Sequence, residues 1–176
     1  MSNEHRRSNR NEMIVITKTP NADTRTATKP ITRELLLESS EEHINHVQKG
    51  MEFFSDKLLY AAEIHDWTKI NYIDEFTKDA LLMKTGNEFK KLPWFQIHIS
   101  KERHHVLDRC PEDVTLIDLL ERVADITMAG LSRSGTIYDT EIPSEILQLA
   151  YKNTIESLKN NVQVLETQEV KEELYD

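Results

Sequence analysis

The chain has 176 residues and a formal net charge of −9, from 22 basic and 31 acidic residues. That excess of acidic residues argues against non-specific binding to the backbone of long nucleic acids, which needs a basic face. The single cysteine, Cys110, excludes an intrachain disulfide, and no apolar run approaches the roughly 20 residues of a membrane span. We therefore expect a cytoplasmic protein with no membrane partner.

The N-terminal region is predicted to form an irregular or flexible arm over residues 1–30. Residues 1–12 are polar without apolar periodicity, 13–17 form a β-branched run that predicts one isolated strand, and 18–30 have loop composition. A helical domain is expected over residues 31–165, followed by an acidic tail at 166–176. Only four glycines and five prolines interrupt the chain, which favours long helices.

Helical periodicity becomes clear near Ser39 or Ser40, where Ser39 and Glu42 fit a capping box. The apolar residues that follow at spacings of 3 and 4 predict one buried stripe: Ile44, Val47, Met51, Phe54 and Leu58. A restart of the helix is expected at residues 55–56, before the segment AAEIHDWTK.

Further helices are predicted over 73–84, 93–105, 115–130 and 144–162. Gly86 is expected to stop the first of them, and Pro93 to open the second. Thr115 and Asp118 have the pattern of a helix start.

Histidines and carboxylates form a recurring pattern along these predicted helices. Asp118, Glu121 and Asp125 stand at i, i+3 and i+7, which places three carboxylates along one helical face. The histidines of the body are His43, His46, His65, His98, His104 and His105. Imidazole together with carboxylate suits Mn, Fe, Ni, Co or Zn better than Ca.

The order of these residues is a His, an adjacent His-Asp pair, further histidines and then an Asp. Over residues 39–160 it resembles the HD-domain superfamily of metal-dependent phosphohydrolases. The resemblance implies an all-α fold, a compact HD-type helical bundle, that binds a divalent metal (Mn, Fe, Ni, Co, Zn or Mg). The ligands it implies are His43, His65, Asp66 and Asp125. His46 competes with His43 for the first position.

The sequence is also similar to a family of small HD-like proteins found in phages and bacteria. The shared segments are HDWTK at 65–69, WFQIHISKERHH at 94–105 and AGLSRSG at 129–135. The chain lacks the extra acidic pair of the alarmone hydrolases and the G-Y-P signature of the cyclic-di-GMP phosphodiesterases. Those two substrates are therefore disfavoured.

His98, His104 and His105 are candidate ligands of a second metal or candidate phosphate contacts. The alternative for at least one of them is an ordinary solvent-facing side chain. Asp66 is expected to orient or deprotonate the attacking water, and His104 or His105 to protonate the leaving oxygen.

Substrate contacts are expected from Lys69, Arg103 and Arg133. Lys69 could stabilise charge on a transferring phosphoryl group, or merely pair with Asp66 on the surface. Arg133, expected in a loop, could clamp a phosphate with its two parallel donors, or do nothing.

Four remaining polar and aromatic positions are expected to serve the scaffold rather than the chemistry. Asp118 and Glu121 fit a cap and a scaffold better than ligands. Trp67 and Trp94 fit the core better than a base-binding pocket.

These features predict hydrolysis of a nucleotide or other small phosphoester through a metal-activated water. Two alternatives stay open: a catalytically idle metal- or nucleotide-binding protein, which includes an inhibitor of a host enzyme, and a single-strand nuclease resembling the HD domains of CRISPR helicase-nucleases. A homodimer that pairs through the apolar strip 13–16 is a further expectation.

Overall fold

The structure, a computed structural model, describes residues 13–19, 25–27, 30–83, 88–138 and 140–166. The described elements are β1 (Ile14–Thr17), α1 (Arg33–Ile64), α2 (Trp67–Asn71), α3 (Ile73–Met83), a 3-10 turn (Phe89–Lys91), α4 (Pro93–Lys101), α5 (Leu116–Ser134), α6 (Ser144–Lys159) and β2 (Val162–Leu165). The chain is thus mostly helical, as the sequence predicts. It divides into two compact units, Met1–Asp56 with Ser157–Asp176, and Lys57–Glu156.

The first unit contains a two-stranded parallel sheet. Strand β1 pairs with β2 in the register Ile14 with Val162 through Thr17 with Leu165. The strip at 13–16, predicted as an isolated strand or a dimer contact, therefore pairs within its own chain. The last helix ends at Lys159 rather than near 162, because the chain turns there and continues as β2.

Two polar side chains of α1 contact β1. His46 accepts a hydrogen bond from the backbone N–H of Thr17 at 3.5 Å, and Lys49 donates one to the carbonyl of Val15 at 2.9 Å. The predicted buried stripe is mostly exposed: Ile44 is 54% exposed and Met51 62%. The prediction was wrong because a 3.6-residue period identifies an apolar face without identifying what covers it.

Helix α1 also begins earlier than predicted and runs without the expected restart at 55–56. Ser39 lies inside the helix, where its hydroxyl donates to the carbonyl of Leu35 at 2.7 Å. A serine bonded back into the preceding turn satisfies itself locally, so it does not act as a cap. The predicted capping box at Ser39 and Glu42 was therefore wrong.

The second unit holds a small apolar core of buried Val106, Val114, Leu119 and Ala150. Helix α5 begins as predicted, with a capping box in which the side chains of Thr115 and Asp118 bond each other's backbone N–H. This start is fixed further by Arg103, whose Nε and Nη2 donate to the two carboxylate oxygens of Asp118 at 2.7 and 3.0 Å.

Two contacts set the position of α4 beside α3. The carboxylate of Asp79 on α3 accepts the backbone N–H of Trp94 at 2.7 Å, so it caps the first turn of α4. The Trp94 ring stacks on Phe76 with ring centroids 3.9 Å apart. The predicted stop at Gly86 lies outside the described residues, as does the tail after Glu166.

Among the described residues, none of the helices combines the length and the apolar character needed to cross a lipid bilayer.

Candidate metal centre

Histidine and carboxylate side chains from α4, the segment that follows it, α5 and the α1–α2 junction converge in the second unit. These side chains form three groups, and within each group one ligand atom per residue lies within 4.8 Å of the others. The groups are Asp66 with His98, His104 and His105; His65 with Asp66 and Asp125; and His65 with His104 and Glu121.

The junction between α1 and α2 positions the His-Asp pair. Asp66 adopts a left-handed backbone conformation with φ 56°, which breaks the helix directly after His65. An aspartate tolerates this region better than most residues. Its carbonyl then accepts the N–H of Lys69 at 2.9 Å, which starts the short helix α2.

The first group is built from three histidines that turn their Nε2 atoms towards one carboxylate oxygen. Nε2 of His98 lies 3.5 Å and Nε2 of His104 lies 3.7 Å from Oδ1 of Asp66. Nε2 of His105 lies 2.8 Å from Nε2 of His98. His98 and His104 are buried, at 3% and 0% exposure, so these atoms sit away from bulk water.

The opposite nitrogen of each ring, Nδ1, faces an oxygen. Nδ1 of His98 lies 2.6 Å from Oγ1 of Thr68, whose own hydrogen is donated to Glu102 at 2.6 Å. Thr68 therefore accepts from Nδ1–H, which leaves the lone pair of His98 on Nε2. Nδ1 of His104 faces Glu121 at 2.9 Å.

His105 follows the same arrangement more loosely, with Nδ1 lying 3.4 Å from Asp108. Metal-binding histidines characteristically donate their other ring N–H to an oxygen, which fixes the tautomer and the ring orientation. Trp94 adds to this by stacking on the His98 ring at a centroid distance of 4.7 Å. These contacts orient the three rings and favour the tautomer of His98 and His104 that has its lone pair on Nε2.

Two buried atoms support the fit of a cation to this group. Among the described residues, Oδ1 of Asp66 and Nε2 of His104 have no hydrogen-bond partner, and a buried polar atom without one is costly. The close approach of His98 and His105 requires either a proton or a cation between their nitrogens. An ion that accepts these lone pairs resolves both features, and the donors suit a first-row transition metal.

Protonation of His98 and His105 is disfavoured, as metal binding requires. Burial lowers the pKa of His98 to about 4, and the positive charge of His105 acts in the same direction. Burial also lowers the pKa of His105, with a further contribution from His104. Neutral imidazoles are the form that binds metal.

The second group lies on the other side of the Asp66 carboxylate. Nε2 of His65 lies 3.3 Å from Oδ2 of Asp66 and 3.8 Å from Oδ1 of Asp125, and Nδ1 lies 2.8 Å from Glu121. These carboxylates, Asp125 first, raise the pKa of His65 to about 11. Burial alone would raise the pKa of Asp66, but His65 and Lys69 hold it below its ordinary range.

A cavity of about 580 Å³ opens beside the second group. Its remaining walls are leucine, alanine and methionine side chains of α1 and α5. The polar and charged residues that line it are His65, Asp66, Lys69, Glu121, Asp125, Ser132 and Arg133. Acidic donors and two cationic side chains therefore face the same space.

His43 is in none of the three groups of possible ligands found among the described residues. It is exposed on the part of α1 that belongs to the first unit. His46 does not replace it, because its Nε2 faces Thr17 and lies 3.8 Å from Glu42. Of the four ligands implied by the resemblance, His65, Asp66 and Asp125 form one of the three groups.

The predicted substrate contacts separate into two classes. Lys69 and Arg133 line the cavity, although Arg133 stands in the last turn of α5 rather than in a loop. Arg103 does not line it, because its guanidinium binds Asp118 and Asp113. Asp118 raises the pKa of Arg103 above its ordinary value.

The predicted scaffold residues have more specific roles than expected. Asp118 is a cap, as predicted, while Glu121 orients two histidines at once. Trp94 lies in the core, as predicted. The ring of Trp67 lies with its centroid 6.0 Å from that of Tyr72, and Trp67 does not line the cavity.

Thr68, Glu102 and Asp108 were not predicted as site residues, yet they face His98 and His105 directly or through another side chain. Thr68 lies inside the shared HDWTK segment and Glu102 inside the ERHH segment, whereas Asp108 follows that segment and carries no such signal. Comparisons of the chain with protein-family models, curated proteins and solved structures gave no match. The function of the protein must therefore be inferred from the cluster itself, which could hold a metal ion.

Proposed function

We propose that this protein is a metal-dependent phosphohydrolase of the HD type that acts on a nucleotide or another small phosphoester. The observation that carries the proposal is the position of one carboxylate, Asp66, whose two oxygens face two different groups of donors. Paired metal sites that share a carboxylate suit in-line displacement at phosphorus.

The residues that would hold metal are His98, His104 and His105 with Oδ1 of Asp66, and His65 and Asp125 with Oδ2. A divalent ion in such a site supplies a Lewis acid and makes water a stronger acid. Glu121 serves both groups, because its Oε1 faces Nδ1 of His65 at 2.8 Å and Nδ1 of His104 at 2.9 Å.

The remaining chemistry would come from the cavity. The Lys69 ammonium touches the Asp66 carboxylate and also lines the cavity, so it is placed to stabilise negative charge on a phosphoryl group. Arg133 has no hydrogen bond or ion pair to any described residue, so its two parallel donors are available for a phosphate oxygen.

Burial changes the roles expected of two histidines. His104 is 0% exposed and neither it nor His105 lines the cavity, which favours both as ligands rather than as donors of a proton to the leaving oxygen. The cytoplasmic location and the HD-type bundle belong to the same proposal.

The test has two stages. Protein purified without chelator is analysed for bound elements, then assayed with Mn²⁺ against nucleotides and simple phosphate esters for release of phosphate or pyrophosphate. Asp66→Asn is expected to lower metal content and to abolish turnover, while the exposed carboxylate variant Asp74→Asn keeps both.

Replacing His65 and His43 in turn tests which of these two histidines serves the site. His65→Ala is expected to lose activity and His43→Ala to retain it. Loss of metal in His43→Ala, or unchanged turnover in Asp66→Asn, would contradict the proposed site.

A metal-binding protein without turnover is the second candidate, favoured by the contact of Lys69 with the Asp66 oxygen that faces the second group. An ammonium at that oxygen competes with a cation there. This candidate predicts bound metal at the first group and no hydrolysis of any phosphoester. A nuclease is less favoured, because apolar walls rather than a basic track lead to the site.

A further inference from the structure

The walls of the cavity bear on which phosphoester it accepts. On α1, Leu58, Ala61 and Ala62 line it at i, i+3 and i+4, and on α5 Ala124, Met128 and Ala129 line it at i, i+4 and i+5. The three residues of α1 share one face of their helix, and so do Ala124 and Met128 on α5, since spacings of three and four residues correspond to about one turn. The cavity is therefore a groove whose sides are short or flexible aliphatic groups.

The groove extends away from the donor atoms. Leu58 precedes His65 by seven residues, which is about 10 Å along the axis of α1, and Met128 follows Asp125 by about one turn of α5. A ligand whose phosphate meets Asp66 and Lys69 would thus place the carbons next to its phosphate against hydrocarbon. Ser132 and Arg133 lie about two turns beyond Asp125, at the far end of the groove.

The same walls offer little to a nucleobase. Among the described residues that line the cavity, His65 carries the one aromatic ring, and that ring is assigned to the proposed metal group. No phenylalanine, tyrosine, tryptophan or amide side chain lines it, and Ser132 is the one neutral polar side chain. Bases are bound by stacking on aromatic rings and by hydrogen bonds along their edges. Trp94 is buried against Phe76 and His98, so it is not available for stacking.

We infer that the substrate is a phosphate monoester of an aliphatic alcohol rather than a nucleotide, an inference that rests on the proposed phosphohydrolase function. In the reaction, the oxygen of water forms a bond to phosphorus and the bond from phosphorus to the ester oxygen breaks. One proton of the water passes to the leaving alkoxide, which gives the alcohol and inorganic phosphate.

The experiment compares methyl, butyl and hexyl phosphate with adenosine 5′-monophosphate, using the full chain loaded with Mn²⁺. Each methylene that enters the apolar walls is expected to raise kcat/KM by about threefold to fourfold. Hexyl phosphate should then exceed both methyl phosphate and the nucleotide. A nucleotide with the highest kcat/KM would overturn the inference and leave the proposed function standing.

A pair of variants on α1 tests the wall itself. Leu58→Asn is expected to lower the ratio of kcat/KM for hexyl over methyl phosphate by about tenfold or more. Leu59→Asn is the matched control, because Leu59 is its neighbour, is 56% exposed and does not line the cavity. If the ratio of kcat/KM for hexyl over methyl phosphate were the same in both variants, the alkyl chain would not lie against Leu58, which would contradict the inference.

Binding separates failure of this inference from failure of the proposed function. Titration calorimetry with hexylphosphonic and methylphosphonic acid reports on the groove without any hydrolysis. Tighter binding of the hexyl compound, weakened by Leu58→Asn, with no turnover of any ester, would overturn the phosphohydrolase and retain the aliphatic ligand. Equal binding of the two phosphonates would overturn the aliphatic ligand.

Discussion

Replacement of Glu121 by glutamine tests how the centre is organised. Oε1 of Glu121 lies 2.8 Å from Nδ1 of His65 and 2.9 Å from Nδ1 of His104, and the two histidines belong to different donor groups. An amide oxygen can keep both contacts but loses the negative charge. Hydrogen bonds to charged groups contribute about 1.5–3 kcal/mol, against about 0.5–1.5 kcal/mol for neutral ones.

The loss of charge should therefore weaken both histidines as ligands. Partners that orient ligands in this way typically change metal affinity by about 10- to 100-fold, equivalent to about 1.4–2.7 kcal/mol. We expect Glu121→Gln to raise the Kd for Mn²⁺ or Zn²⁺ by that factor, measured by competition with a chromophoric chelator.

Thermal unfolding of the metal-free variant shows whether the protein still folds, so that loss of affinity is not confused with loss of structure. The control is Glu75→Gln, an exposed carboxylate on α3. A Kd for Glu121→Gln within twofold of the unchanged protein would refute the role assigned to this carboxylate.

Three further outcomes are expected. Because the pKa of His65 is raised from 6.5 to about 11, the stability it gives to the metal-free protein is full below pH 6.5 and is lost as the pH rises through 11. Metal binding to its group near pH 8 should consequently release about one proton, and a calorimetric enthalpy that does not depend on the buffer would contradict this. Asp118→Ala removes a helix cap and a partner of Arg103, so urea unfolding should show that the free energy of unfolding falls by about 2–4 kcal/mol. The control is the exposed Asp113→Ala, for which the fall should be less than about 1 kcal/mol. Equal falls in the two variants would count against the capping role. Gly130→Ala would place its Cβ 2.5 Å from the carbonyl oxygen of Thr136, so a loss of about 1–3 kcal/mol is expected in the same assay, and an unchanged midpoint would show that the turn after α5 yields freely.

Local signals in the sequence were sufficient for several elements. The capping pattern of Thr115 and Asp118 places the start of α5 correctly, and Pro93 marks the start of α4. These features depend on neighbours within one turn, so periodicity and capping chemistry identify them. The resemblance implied His65, Asp66 and Asp125 as ligands, and one ligand atom of each lies within 4.8 Å of the others.

The start and continuity of α1 could not be obtained in this way. Ser39 has the sequence of a cap, yet the helix begins at Arg33 and passes through 55–56 without a break. Whether two helical segments join depends on packing along their whole length rather than on one residue. Nor does the period of the apolar stripe show what covers it, and Ile44 and Met51 are exposed.

Composition and local patterns are enough to predict a mostly helical chain and to give the order of its histidines and carboxylates. Which nitrogen of each ring is free to bind a metal depends instead on contacts between distant parts of the chain. Nδ1 of His98 is occupied by Thr68 and Nδ1 of His104 by Glu121, partners 30 and 17 residues away in the chain. Hydrogen bonds across such separations follow from how helices pack, and no local pattern encodes them.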